Sequence, residues 1–282
     1  MLVLLVMAIE FLYILALLIT GTVVGFASGL LGVGGCFIMV PVQFWVLTSM
    51  GLDAGTAILV AFGTNLAVVL PTAISGAYGH HTKGAVVWNA AVTMGIAGFF
   101  GALLGGYIAT LIPGTYLTAL FGFVILLGAV RMFTAKPPVI EKEPVDDVAI
   151  FLLWGIPLGI LSGIIGIGGG VILIPILVLV MHFRMHAAVG TSTALMIFTA
   201  LGGTIAYIIN GWRAVGLPAY SLGYVNLLQW ALLAGTSIIM AQAGVRAAHR
   251  LPARQLKLVF IAVMVYMGLK MMGVFSLLGL PL

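Results

Sequence analysis

Residues 25–41 read GFASGLLGVGGCFIMVP, and residues 159–175 read GILSGIIGIGGGVILIP. The two stretches align without a gap at a constant offset of 134 positions, the distance from Ser28 to Ser162. The residues of the first copy that return unchanged include Gly25, Ser28, Gly29, Gly32, Gly34, Gly35 and Pro41. So many identities at fixed spacing indicate an internal duplication.

The composition of the chain fixes its class. Of 282 residues, 63% are hydrophobic and only 6% are charged, whereas an ordinary soluble domain is about 25% charged. This predicts an all-α polytopic membrane protein that lies in a lipid bilayer. The few basic residues form no cluster on a polar domain, so nucleic acid is not an expected partner. The single cysteine, Cys36, excludes an intrachain disulfide and a paired-cysteine metal site.

The duplication predicts the organisation of the chain. We expect a first transmembrane repeat at 1–134, a linker at 135–147 and a second repeat at 148–282. Each repeat would contain a glycine-broken or re-entrant helix pair and then three full spans, which gives eight to ten membrane segments in total. Gly63-Thr64-Asn65 and Gly190-Thr191-Ser192 form a second matched pair of motifs.

The distribution of positive charge predicts the orientation of the halves. With the linker in the cytoplasm, the outside holds only Arg213 and Lys270. The inside then holds Lys83, Arg131, Lys136, Lys142, Arg184, Arg246, Arg250, Arg254 and Lys257. This excess of inside charge fits the positive-inside rule. Loops at equivalent positions of the two repeats differ in charge, so we expect two repeats of inverted topology.

The two glycine breaks are the candidate substrate site. Non-helical backbone inside a bilayer is tolerated only within protein or beside a wet cavity. A helix that begins at such a break presents unpaired N–H groups and its positive dipole end, which together attract anions. The predicted substrate-binding residues are Ser28, Gly29, Gly32, Gly34, Gly35, Ser162, Gly163, Gly166, Gly168 and Gly169, with Thr64, Asn65, Thr191 and Ser192 on a neighbouring span.

Other interpretations of these residues stay open. Glycines in membrane helices often serve close packing, and serine often bonds the carbonyl one turn before it. The Gly101–Gly105 pair is as compatible with packing inside one chain as with a homodimer.

No catalytic or metal-binding set is recognisable. A serine protease would need a base beside Ser28 or Ser162, and no histidine falls within a predicted span. The five histidines are expected in or beside cytoplasmic loops, exposed to solvent: His80, His81, His182, His186 and His249. We therefore expect neither an enzyme nor a metal site or cofactor.

The repeated GxxSGxxGxGG…P pattern resembles the sulfite exporter TauE/SafE family, also called the TSUP family of anion permeases. The resemblance covers nearly the whole chain, including both motif copies, the GTN and GTS positions and the LPARQLK segment. It implies transport of sulfite, sulfonates such as sulfoacetate, and other small sulfur-containing anions across a bacterial or archaeal plasma membrane. Cys36, which stands where the second copy has Gly170, departs from the pattern.

Charge adds an expectation about mechanism. An anion that leaves a negative cytosol gains about 2.3 kcal/mol per charge per 100 mV, so export could run without a coupled ion. We expect a secondary transporter that exports its anion by alternating access around a midplane site. The alternatives are an anion-selective channel and a proton-coupled uptake permease for an organosulfonate.

Overall fold

The computed structural model describes residues 2–31, 34–134, 144–248 and 254–277. The helices of the first half are α1 (Leu2–Leu31), α2 (Cys36–Ser49), α3 (Ala54–His81), α4 (Trp88–Leu111) and α5 (Gly114–Thr134). Those of the second half are α6 (Val148–Ile165), α7 (Gly170–Leu179), α8 (Met185–Gly211), α9 (Leu227–Ala248), α10 (Arg254–Met271) and α11 (Val274–Leu277). A two-stranded antiparallel ribbon, β1 (Ser221–Leu222) and β2 (Val225–Asn226), precedes α9.

The helices confirm the predicted fold class. Within the described ranges, seven helices are long and apolar enough to cross a membrane: α1, α3, α4, α5, α6, α8 and α9. The helix α2 and the apolar part of α10, Phe260–Met271, are shorter. Large hydrophobic side chains such as Phe100, Leu153 and Ile239 face outward, as they do on a surface that contacts lipid. The protein is a multi-pass α-helical membrane protein.

After each break the chain reverses direction, so that the second helix of the pair runs back beside the first. The N–H of Val145, before α6, donates a 3.0 Å hydrogen bond to the carbonyl of Met181, just after α7. In the first half the rings of Tyr13 on α1 and Trp45 on α2 pack edge to face with centroids 5.6 Å apart. Both helix pairs are therefore hairpins whose arms lie side by side.

The first helix of each half packs against the fourth helix of the other half. On α1, Gly25 lies against Ser237 of α9, and Gly29 lies one turn further against Ala241. The helix α6 repeats these contacts, because Gly159 lies against Gly98 of α4 and Gly163 against Ala102. Glycine is needed here, since a Cβ on Gly159 would lie 2.2 Å from the carbonyl oxygen of Gly98. The helix packing thus follows the sequence duplication.

The third helices of the two halves, α3 and α8, cross at the centre in opposite directions. Gly63 lies against Tyr207, and Gly190 lies against His80. Gly63 and Gly190 are equivalent positions of the repeat, and so are His80 and Tyr207, so each contact is the counterpart of the other. Two contacts nearer the crossing, Gly203 with Leu66 and Gly76 with Thr193, are related in the same way. Such reciprocal contacts are typical of a local two-fold axis perpendicular to both helices.

The packing also gives the Gly101–Gly105 pair an intramolecular role. A Cβ on Gly101 would lie 2.4 Å from the carbonyl oxygen of Ile156, and a Cβ on Gly105 would lie 2.2 Å from that of Ile160. The pair therefore lets α4 approach α6 within the same chain.

The prediction for the histidines was wrong at His80. The helix α3 continues to His81, and the side chain of His80 is only 2% exposed. The polar GHHTKG sequence indicated a loop, but the helix continues through His80 and buries the imidazole against α1, where its hydrogen bond to the carbonyl of Gly29 offsets the cost of burial. His249 and most of the predicted linker, residues 135–143, lie outside the described residues.

Candidate substrate site at the glycine breaks

Glycine makes both breaks possible. In the first half α2 begins after Gly34 and Gly35, which have φ values of 73° and 63°. In the second half Gly166, Gly168 and Gly169 have φ values of 65°, 73° and 97°. These are left-handed conformations that cost little only for glycine. The remaining predicted glycine of the first break, Gly32, lies outside the described residues.

The tips of the two breaks meet. A Cβ on Gly34 would lie 3.5 Å from the carbonyl oxygen of Ile167, in the opposite break, and 3.3 Å from the sulfur of Met196. A Cβ on Gly168 would lie 3.0 Å from Val69 and 3.8 Å from the same sulfur. Val69 on α3 and Met196 on α8 are separated by the same number of residues as Thr64 and Thr191, so they are equivalent positions of the two repeats. The two breaks converge on the crossing of α3 and α8.

Each tip starts a helix with a glycine at the N-cap position. The N-cap residues are Gly35 for α2 and Gly169 for α7, so neither N-cap residue has a side chain that could cap its helix. Both helix starts are buried. The first N–H groups of a helix have no carbonyl partner within it, and the dipole adds partial positive charge there. Two buried positive helix ends therefore lie near each other without a basic side chain from either helix.

Polar side chains surround the second tip. The hydroxyl of Ser162 is buried, at 1% exposure of the residue, and has no hydrogen-bond partner among the described residues. A Cβ on Gly169 would lie 3.9 Å from the Cβ of Ser162, so this side chain borders the start of α7. Thr199 donates a 2.9 Å hydrogen bond to the carbonyl of Gly168. The amide of Asn65 donates to the carbonyl of Gly166, and its Oδ1 has no partner in the described structure.

The remaining polar candidates lie in different settings. Thr64 and Thr191 accept hydrogen bonds from the N–H groups of Asn226 and Val87, at 2.9 and 3.0 Å. Asn226 and Val87 immediately precede α9 and α4, so these hydroxyls fix the starts of two equivalent helices. Ser192 donates to the carbonyl of Val189 at 2.9 Å.

The first-half residues Ser28 and Gly29 lie in the last turn of α1. Ser28 is buried, and the carbonyl of Gly29 accepts a hydrogen bond from Nε2 of His80 at 3.1 Å. Its counterpart Gly163 accepts one from the hydroxyl of Tyr207 at 3.0 Å. His80, Tyr207 and Thr199 were not predicted for the site. The first two stand at matched positions of the repeat, which is the signal that could have identified them.

Comparison with known proteins places this arrangement in a family. The model of the sulfite exporter TauE/SafE family matches residues 17–271. The chain belongs to this family. A probable membrane transporter protein of Methanocaldococcus jannaschii is 30% identical over 267 residues, which cover 93% of this chain and 97% of the relative.

Two further relatives carry equally general names. A probable membrane transporter protein of Haemophilus influenzae is 26% identical over 93% of this chain and 98% of its own length. The probable membrane transporter protein YunE of Bacillus subtilis is 26% identical over 69% of this chain and 78% of its own length. No solved structure matches the chain.

Proposed function

We propose that this member of the TauE/SafE family is a secondary transporter that exports small sulfur-containing anions, such as sulfite or sulfoacetate. The observation that carries the proposal is the meeting of Gly34 with the opposite break beside two buried helix starts whose N-cap residues are glycines. The family description names sulfite export. The transported anion leaves chemically unchanged, so the protein acts as a carrier and not as an enzyme.

The chemistry of the tips suits an oxyanion. An oxyanion offers several acceptor oxygens, and the first N–H groups of α2 and α7 are donors that need acceptors. A helix start stabilises an anion by about 0.3–1 kcal/mol, and by up to about 2 kcal/mol where it is partly buried. The hydroxyl of Ser162 adds a donor at the second tip. Binding without a basic side chain is of the moderate strength that lets a carrier release its substrate.

The symmetry of the two halves supports alternating access. We propose that they are inverted repeats, with the linker in the cytoplasm of a bacterial or archaeal cell. The reciprocal contacts of α3 and α8 are what an axis in the membrane plane would produce. If each half then adopted the conformation of the other, the central site would open first to one side of the membrane and then to the other. The export direction follows the membrane potential, which favours anion exit.

One observation favours a second candidate function, proton-coupled uptake. With the first span taken as Phe11–Leu30, after Glu10 of α1, the sequences of the seven candidate spans contain no aspartate or glutamate, but α3 contains the buried His80. Histidine changes charge between about pH 5 and 8. Its imidazole could carry a proton beside the carbonyl of Gly29.

Counterflow into proteoliposomes distinguishes these functions. The probes are labelled sulfite and sulfoacetate, with and without an imposed membrane potential or pH gradient. We expect saturable counterflow and a net flux that follows the potential. Accumulation that requires a pH gradient would replace export by proton-coupled uptake, and unitary currents without saturation would indicate a channel. Absence of counterflow in folded protein would exclude both sulfur anions as substrates.

A further inference from the structure

A layer of buried side chains joins α2 and α3 of the first half to α9 of the second half. Met39, Val68 and Leu233 belong to one buried hydrophobic cluster. The helices α2 and α3 are joined by residues 50–53 and run in opposite directions. In contrast, α3 and α9 run in the same direction, because Thr64 pairs with Asn226 and Thr72 with Ser237.

These directions define the next layer toward the loop at 50–53. Residues four positions apart lie on the same face of a helix. One turn from Met39 is Gln43, and one turn from Leu233, in the same direction, is Gln229. The corresponding residue of α3 is Thr64. By this register Gln43, Gln229 and Thr64 belong to one layer, one helical turn from the apolar layer.

The equivalent layer, formed by α7, α8 and α4, has no glutamine. By the spacings of the repeat, Gln43 corresponds to Leu177 and Gln229 to Ala90. Both Leu177 and Ala90 belong to one buried hydrophobic cluster, together with the counterparts of the apolar layer, Leu173, Leu195 and Met94. The layer of Met39, Val68 and Leu233 is thus apolar in both copies, whereas the next layer carries two amides in one copy and none in the other.

The two amides are buried without partners. Gln43 is 0% exposed and Gln229 is 5% exposed. Within the described residues, Nε2 and Oε1 of Gln43 and Oε1 of Gln229 have no hydrogen-bond partner. A neighbouring glutamine on α9 is satisfied, since Gln242 donates to the carbonyl of Ser75 at 2.5 Å. An unpaired amide in a membrane protein is costly, so the unsatisfied layer indicates a polar occupant.

We propose that Gln43 and Gln229 form a second binding position for the transported anion, separate from the tips. The position is eight residues along α2 from Gly35, about 12 Å at the rise of a helix. A small anion therefore occupies one position or the other. The inference rests on the proposed function. It adds an intermediate binding position to the transport path between the loop at 50–53 and the central site.

The chemistry of the position selects a singly charged oxyanion that keeps an O–H group. The amide nitrogens donate to the anion's oxygens, while the amide oxygens accept from its hydroxyl. No charged side chain lies on α2, and the charged or titratable residues of α3 and α9 are at their far ends: Tyr78, His80, His81 and Arg246. Neutral amides without a nearby cation would hold a doubly charged anion poorly.

The test exchanges each glutamine for its counterpart in the other half. The variants are Gln43→Leu and Gln229→Ala, and the probe is labelled sulfite in mildly acidic buffer, where the singly protonated anion predominates. We expect each variant to raise the half-saturating concentration for counterflow about tenfold or more, the effect of one lost hydrogen bond to a charged group. Thermal unfolding should show equal or greater stability. Gln43→Met, which keeps the length of the side chain, provides a second variant if leucine does not fit.

The control and the contrary outcomes separate this inference from the proposed function. Gln242→Ala removes a satisfied glutamine of the same helix and should leave the half-saturating concentration unchanged. Wild-type counterflow with unchanged saturation in the folded Gln43 and Gln229 variants would overturn the second binding position alone. Absence of wild-type counterflow with both sulfite and sulfoacetate would overturn the proposed function, and this inference with it.

Discussion

The hydroxyl of Tyr207 donates a 3.0 Å hydrogen bond to the carbonyl oxygen of Gly163, in the last turn of the helix that leads into the second break. The first half makes the equivalent bond with a different residue, because Nε2 of His80 lies 3.1 Å from the carbonyl oxygen of Gly29. The last carbonyls of a helix have no partner within it. Both halves therefore satisfy a buried helix end with a side chain from the central crossing, one with a phenol and one with an imidazole.

Replacement of Tyr207 by phenylalanine should destabilise the protein. The carbonyl of Gly163 would remain buried without its donor, which costs about 1–3 kcal/mol. The measurement is unfolding of purified protein in detergent. Tyr220→Phe, at an exposed tyrosine, is the matched control and should have no effect. Equal stability of the two variants would show that the Tyr207 bond contributes nothing to the second helix pair.

The positions of the breaks could be predicted because glycine encodes them locally. Left-handed backbone at Gly34, Gly35, Gly168 and Gly169 requires glycine, and the sequence places these residues at the same spacing in both halves. The fold class was predictable for a similar reason, since the hydrophobic character of each segment is a local property.

Contacts between distant residues could not be read in the same way. His80 was placed in a loop because its neighbours are polar, whereas its partner Gly29 is 51 positions away. Thr64 pairs with the N–H of Asn226, 162 positions away, and the sequence does not show which polar group a threonine will meet. The convergence of Gly34 and Ile167 likewise depends on how two halves pack together.

Substitution of Gly169 by alanine should impair transport. Its φ of 97° is unfavourable for alanine, and the added Cβ would lie 3.0 Å from the side chain of Leu173, at the start of α7. A left-handed residue other than glycine costs about 1–2 kcal/mol, so we expect the helix start to shift and sulfite counterflow to fall by about tenfold or more.

Gly51 provides the control for this change. Its φ of 88° imposes a comparable backbone penalty, but it lies in the loop after α2 with no heavy atom within 4 Å of a Cβ. Gly51→Ala should therefore lose stability without losing transport. A similar decrease in counterflow for both variants would mean that instability, and not the position of the break, explains the effect of Gly169→Ala.

Replacement of Ser162 by alanine should separate binding from stability. The buried hydroxyl has no partner, so its removal leaves no donor or acceptor of the protein unsatisfied. We expect unchanged or slightly higher stability together with about tenfold weaker sulfite binding, measured as the half-saturating concentration for counterflow.

The control for Ser162 is Thr193→Val, which removes a buried hydroxyl that bonds the carbonyl of Val189 on its own helix. This variant should transport normally. If Ser162→Ala also saturated at the wild-type concentration, the serine would not contact the anion, and the second tip would act through its N–H groups alone.

Single-cysteine labelling should determine how the helix pairs enter the membrane. Cys36 is buried, so a Cys36→Ser background leaves surface positions free for new cysteines. The exposed residues Val148 and Met185 flank α6 and α7, and Met50 lies in the loop between α2 and α3. Since Val145 and Met181 meet in the structure, we expect Val148→Cys and Met185→Cys to react with an impermeant maleimide only after the cells are permeabilised. Met50→Cys should react in intact cells, and labelling of Val148 and Met185 from opposite sides would contradict the inverted-repeat proposal.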